Sequence, residues 1–233
     1  MTDVIIDTAQ NAAAEIVHLQ ADNIATVMRY LTSNLRLTLA EAVAPVRSLG
    51  LTLTARQGSS KLVTPAEAKA LGTAGIRLGL VFENGGGSPG YNDINAVHGL
   101  SDASFALNYL PQIGAPTDGT VCVFFACDND FTAAQIQQLV LPYFGEIATK
   151  FSPAPYIVGV YGSGAVCNAV CAKGFARYAW LSGSLGWTDS RTYLASKPKE
   201  LVLVQHDMNT KLANLGCDTD YALAPFGDFL VAA

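Results

Sequence analysis

Charge is what this sequence has least of: 14% of its 233 residues are Asp, Glu, Lys or Arg, against 50% hydrophobic. A chain so apolar buries enough surface to offset the entropy of ordering, which excludes a disordered polypeptide. Basic charge is the scarcer sign, with 14 Lys and Arg against 19 Asp and Glu, a net charge of −5 and no basic cluster. A phosphate backbone has nothing to bind here, so nucleic acid is excluded as a partner. No apolar run approaches the roughly 20 residues of a bilayer span, so no membrane-spanning helix is expected. The first residues lack the basic and apolar regions of a signal peptide, Asp3 leading into a strand from Val4, so no leader is expected. Tandem repeats, charge runs and low-complexity tails are missing too.

Motifs for metals and cofactors are also wanting. Cys167 and Cys171 share a helix face, but neither a His nor a second Cys pair accompanies them at zinc spacing. Gly85-Gly86-Gly87 lacks the Lys-Ser/Thr of a phosphate loop, and Gly162-Ser163-Gly164 misses the spacing of a nucleophile elbow. Both read as turns. His18, His98 and His206 are scattered over different segments and read as structural or surface residues, so no Ser/His/Asp or Cys/His constellation assembles. Neither a metal nor a cofactor is expected. The five cysteines are odd in number and partly embedded in apolar runs, where Cys acts as a small hydrophobe; most read as free and buried. A disulfide between Cys167 and Cys171, or to Cys217, stays open.

What the sequence does have is a succession of short apolar runs: Val4 to Ile6, Ala25 to Met28, Ile76 to Phe82, Val121 to Ala126, Ile157 to Val160, Tyr178 to Leu181, Leu201 to Val204 and, weakest, Tyr221 to Leu223. Continuous rather than alternating hydrophobicity marks strands covered on both faces, as in parallel sheets. Helix starts stand between them. Thr64-Pro65-Ala66-Glu67 combines a capping box with Pro at the first helical position, and Thr132-Ala133-Ala134-Gln135 is a second box. Gly75 ends the first of these helices. Eight strands with helical crossovers predict an α/β fold, a single (β/α)8 TIM-type barrel over residues 1–233, with a doubly wound sheet as the alternative. Residues Leu31 to Leu62 read as an elaboration after the second strand, with a helical segment at Leu39 to Leu49 and an alternating stretch at Leu51 to Ala55.

In such a barrel, chemistry gathers at the C-terminal ends of the strands. Asp7 ends the first run, Tyr30 follows the second, Glu83 the third, Asp128 and Asp130 the fourth, Tyr161 the fifth and Gln205 the seventh, while Trp180 lies in the sixth. Ala126, Asp128 and Asp130 are spaced by two and face one side while the chain stays extended. Carboxylates sharing one mouth repel, which raises one pKa and leaves another group ionised, as acid/base cleavage of a glycosidic bond requires. Tyr30, Tyr91, Tyr161, Trp180 and Trp187 offer apolar platforms for sugar rings. Plainer roles stand beside these. Asp130 or Thr132 caps the following helix, Asp7 caps its own, and Tyr178 and Trp180 pack the barrel. Glu83, followed by a glycine loop, has no capping role and is read as a site residue.

Val4-Ile5-Ile6-Asp7-Thr8, Met28-Arg29-Tyr30-Leu31, Leu62-Val63-Thr64-Pro65-Ala66-Glu67-Ala68, Phe124-Phe125-Ala126-Cys127-Asp128-Asn129-Asp130, Gly159-Val160-Tyr161-Gly162-Ser163, Tyr178-Ala179-Trp180-Leu181 and Cys217-Asp218-Thr219-Asp220 occur in order. Together they resemble the Rv2525c-like, glycoside-hydrolase-like TIM-barrel domain, itself similar to the GH25 muramidases. The resemblance runs from Val4 to Leu223, broken mainly over Ser33 to Ser60. It implies a barrel with a carbohydrate-facing mouth, where Asp7, Glu83, Asp128 and Asp130 are candidate catalytic groups. Tyr30, Tyr161, Trp180, Gln205, Asp218 and Asp220 are the candidate substrate-binding groups. In the muramidases the fourth strand carries D-x-E; here Asp130 stands in place of that Glu, about one methylene shorter, which turns the expectation for the acid toward Glu83. The implied function is a glycoside hydrolase acting on bacterial cell-wall polysaccharide such as peptidoglycan. The alternative is a non-catalytic glycan-binding or structural module, and a weaker third reading is an effector delivered without a leader.

Overall fold

The computed structural model describes residues 4–32, 61–85, 93–212 and 214–232. Seven strands pair parallel in sequence order: β1 (Val4–Asp7), β2 (Ile24–Leu31), β3 (Arg77–Phe82), β4 (Cys122–Ala126), β5 (Ile157–Gly162), β6 (Tyr178–Leu181) and β7 (Leu201–Gln205). A hairpin of β8 (Thr210–Leu212) and β9 (Leu215–Ala222) follows, and β9 pairs antiparallel with both β7 and β1. Eight strands therefore close into a barrel. The expected architecture holds with one correction: the eighth strand is Leu215–Ala222 rather than Tyr221 to Leu223, and it runs against its neighbours. Its residues Thr219 and Tyr221 alternate with inward Asp218 and Asp220, so its polarity hides it from a search for continuous apolar runs.

Helices α1 (Ile16–Ala21), α2 (Pro65–Thr73), α3 (Ala96–Tyr109), α4 (Leu141–Phe151), α5 (Gly164–Ala172) and α6 (Ser190–Ser196) lie outside the strands. The helix approaching α4 starts at Ala133–Gln135, where Thr132 and Gln135 form the expected capping box, then widens to a π turn at Ile136–Val140 ahead of Pro142. A proline ring clashes with the carbonyl four residues back, and a wider turn relieves that clash. The other capping box is only half made. Thr64 accepts the Glu67 amide, but the Glu67 side chain turns inward to Arg29 at 2.7 Å and to the Ala12 amide at 2.8 Å. Gly75, at φ +78°, ends this helix as expected. Leu39 to Leu49, Leu51 to Ala55 and Tyr91 lie outside the described residues; Leu62 pairs parallel with Tyr30, extending the sheet past the end of β1.

Two apolar cores result. One fills the space between strands and helices, and the other fills the barrel, where Ile5, Met28, Val81, Phe124, Trp180 and Leu203 meet. Room for the larger of these comes from Gly79 and Gly159, since a Cβ there would lie 2.0 Å from the Met28 sulfur and 2.5 Å from the Phe124 ring. Phe226 plugs the barrel from below. The tail beyond it pairs Phe229 with Leu78, and Asp228 accepts from Thr26 and Arg77. All five cysteines are free and, Cys171 apart, buried.

Candidate active site

The parity of each strand decides what reaches the top of the barrel. Asp7 closes β1, Tyr30 is the penultimate residue of β2, Glu83 follows β3, Asp128 lies two residues past β4, and Gln205 closes β7. On β9 the direction is reversed, so the earlier residue is the higher one: Asp218 pairs with Asp7 at the rim, and Asp220 pairs with Ile5 one layer down. A cleft of about 770 Å³, open solvent included, is lined by Tyr30, Glu83, Asp128, Tyr161, Trp187 and Asp218, among others. Asp7 and Thr8 border a second recess on the far side of Tyr30 and Asp218.

Gln205 organises the floor. Its carbonyl accepts the Gly183 amide at 3.1 Å and the Tyr161 hydroxyl at 3.0 Å, which fixes the flip of the side chain. The amide nitrogen is thereby aimed at two carboxylates, donating to Asp7 at 3.0 Å and to Asp218 at 2.8 Å. Asp7, 4% exposed, also accepts from the Tyr30 hydroxyl at 3.2 Å. Burial pushes its carboxyl up to about 6, helped by Asp218 and Glu83 and opposed by the Gln205 and Tyr30 hydrogen bonds. Asp7 therefore caps no helix. Asp128 stands open at the rim, yet partial desolvation and the Glu83 carboxylate hold it above the ordinary range, against Lys61 and Tyr161.

Other expected residues have different surroundings. Glu83 is in an ion pair with Lys61 at 2.7 Å, and the same ammonium lies 4.3 Å from the centre of the Tyr30 ring. Asp130 neither caps the next helix, a task Thr132 performs, nor lines the cleft; it accepts the Thr188 amide at 2.8 Å. Trp180, 1% exposed, forms the bottom of the cleft edge-on to Tyr161 and Phe124. Its indole N–H donates to Asp220 at 2.8 Å. Asp220, 3% exposed, is thus a group beneath the floor rather than a cleft-lining one, and burial together with Asp7 holds its carboxyl well above the usual range. Its Oδ2 has no hydrogen-bond partner among the described residues.

Sequence reasoning missed Lys61 and the cleft-lining Ser184, Met208 and Asn209. The position of Lys61, directly before Leu62-Val63 and a helix cap, was the available signal that it starts from the edge of the sheet. His18, beside Glu15, and His206, beside Asp207, are peripheral, while His98 is half-buried near the start of α3 with its Nδ1 against Asn95 and the Asp93 carbonyl. Among the described residues no group of three His, Cys, Asp or Glu is arranged to hold a metal, and no helix is long and apolar enough to cross a membrane.

A family model described as Rv2525c-like, glycoside hydrolase-like domain matches residues 18–214. The Bacillus subtilis (strain 168) protein YbfG is 30% identical over 196 residues, which cover 78% of this chain and 24% of that protein. FadG of the same strain is 27% identical over 156 residues, 64% of this chain and 26% of FadG, so the chain matches only about a quarter of either relative. Among solved structures, the Mycobacterium tuberculosis Tat-secreted protein Rv2525c in complex with L-tartrate has a TM-score of 0.73 at 17% identity, covering 98% of this chain and 99% of that one. The catalytic domain of endolysin ply40, from bacteriophage P40 of Listeria monocytogenes, has a TM-score of 0.52 at 12% identity, covering 96% and 94%. Both likenesses are of fold.

Proposed function

Because the chain belongs to the Rv2525c-like, glycoside hydrolase-like family, we propose that its cleft receives a saccharide and that the carboxylates there cleave a glycosidic bond, the substrate being a bacterial cell-wall polysaccharide such as peptidoglycan. The observation that carries this reading is the contrast between two carboxyl groups on one rim. Asp128 is held above the ordinary range and open to a ligand, so it is suited to give a proton to the glycosidic oxygen. Glu83, against the Lys61 ammonium, is suited to stabilise the positive charge that develops on the sugar as the bond breaks. The expectation that Glu83 is the acid thus passes to Asp128. Asp218, held by the Gln205 amide, offers an acceptor for sugar hydroxyls, and Trp187 an apolar face. The fold shared with an endolysin catalytic domain supports a cell-wall glycan as the substrate class.

The alternative is a glycan-binding module without catalysis, favoured by Asp130, which stands in place of the muramidase-like glutamate and is engaged by the Thr188 amide. Reducing ends released from purified peptidoglycan distinguish the two. If the protein is a hydrolase, Asp128→Asn lowers release by 10²-fold or more while glycan binding survives. Binding without release by the wild type leaves the module reading; release undiminished in Asp128→Asn rejects this assignment of the acid.

A further inference from the structure

Beside the cleft, the second recess has a volume of about 620 Å³, open solvent included, and lies between the end of β1 and the β8–β9 hairpin. Tyr30, Asn209 and Asp218 line both hollows and form the wall between them. That wall is held in place. The Asp218 carboxylate accepts the Gln205 amide at 2.8 Å on one oxygen and the Asn209 backbone N–H at 2.6 Å on the other. Asn209 adopts φ +58°, a left-handed conformation that Asn tolerates better than most residues with a side chain. Its chain neighbours are fixed as well, Asp207 against Thr219 and Thr210 against Cys217. The Asn209 carboxamide, by contrast, is exposed and makes no hydrogen bond among the described residues.

The hydroxyls of the recess are already engaged. Thr8 donates to the Gly216 carbonyl at 2.8 Å, Thr210 to the Cys217 carbonyl at 2.9 Å and Tyr30 to Asp7 at 3.2 Å. The recess therefore offers a ligand the free carboxamide of Asn209 and the spare lone pairs of carboxylate and carbonyl oxygens. Among the described residues no Lys, Arg or His lines it, so nothing offsets the repulsion between its carboxylates and an anionic ligand. A hydroxyl group both donates and accepts, which matches this combination; a phosphate or carboxylate only accepts. We propose that cleft and recess are adjoining subsites of one groove, and that the Asn209 carboxamide binds the hydroxyls of a second, neutral sugar ring seated in the recess. This rests on the saccharide reading of the cleft and deepens it: the ligand is an oligosaccharide, and its ring beside β1 carries no acidic group.

The test is nitrogen-resolved NMR of the wild type and Asn209→Gly, titrated with the N-acetylglucosamine tetramer. Gly keeps the left-handed φ and the backbone N–H to Asp218 while removing the carboxamide, and the remaining amide signals check that the fold is unchanged. The Trp187 indole reports the cleft; the Asn209 carboxamide and the Gly216 amide report the recess. In the wild type the tetramer moves all three signals, and its affinity falls about 3- to 10-fold in Asn209→Gly, the scale of one lost hydrogen bond. A tetramer that moves Trp187 alone, or binds Asn209→Gly as tightly as the wild type, overturns the proposal and leaves the saccharide reading of the cleft standing. Tetragalacturonate, acidic on every ring, leaves the recess signals in place; movement there overturns the neutral class. A tetramer that moves none of the three signals defeats both readings.

Discussion

Gln205 shows how much one neutral side chain can decide. Two carboxylates share its single amide nitrogen, and the orientation of that amide is dictated from the other side by Gly183 and Tyr161. Gln205→Leu keeps the bulk and removes the donor. The Asp7 carboxyl, already at about 6, should then titrate higher by about half a unit to one unit, because a hydrogen bond to its charged form is lost while burial and the Asp218 charge remain. An Asp7 midpoint that stays put in carboxyl NMR would show that the amide is a spacer only. Asp7, Glu83, Asp128 and Gln205 were legible in the sequence because each ends or follows an apolar run. Lys61 was not, since the choice of ion-pair partner by a long side chain is made in space, not along the chain. Asp220, expected among the substrate-binding groups, pairs with Ile5 one layer below the rim, because two residues along an antiparallel strand lead down from Asp218.

At the scale of elements, the join between β2 and α2 is made by an ion pair with no exposed side-chain surface on either partner, Arg29 with Glu67. Glu67 also accepts the Ala12 amide, and Arg29 donates to the Thr8 carbonyl, so the pair ties the loop after β1 to α2. Breaking such a pair from one side strands the other charge. Glu67→Leu should cost about 3–5 kcal/mol in urea unfolding, and Arg29→Met with Glu67→Leu together should cost less than the sum of the single changes. Additive losses would mean that the two residues act independently. Here the sequence was misleading in an instructive way: Thr64-x-x-Glu67 has the letters of a capping box, but a buried guanidinium outbids the end of a helix for the glutamate. The parallel strands were legible from continuous apolar runs, while the polar, reversed β9 and its short hairpin partner β8 escaped.

For the whole molecule, two buried acids set the response to pH. Asp7 is lifted to about 6 and Asp220 is raised as well, so the folded chain binds protons that the unfolded chain releases near its ordinary carboxylate value. Their stabilising contribution is complete below that unfolded value and is lost as pH rises through the folded one. The melting temperature should therefore fall between about pH 4 and pH 7, with Asp7 accounting for up to about 3 kcal/mol, and Asp7→Asn should flatten that fall. A melting temperature that rises across this window would contradict it.

The closure of the barrel has a kinetic side. Gln205 and Asp7 lie 198 residues apart in sequence and become neighbours only when β9 slots between β7 and β1. Contacts of such long range are the slowest to form, because the loop they close must be ordered before the pairing rewards it. The floor is thus expected to assemble late, and a nascent or truncated chain lacking β9 lacks Asp218 and leaves Asp7 and Gln205 without the strand that joins β7 to β1.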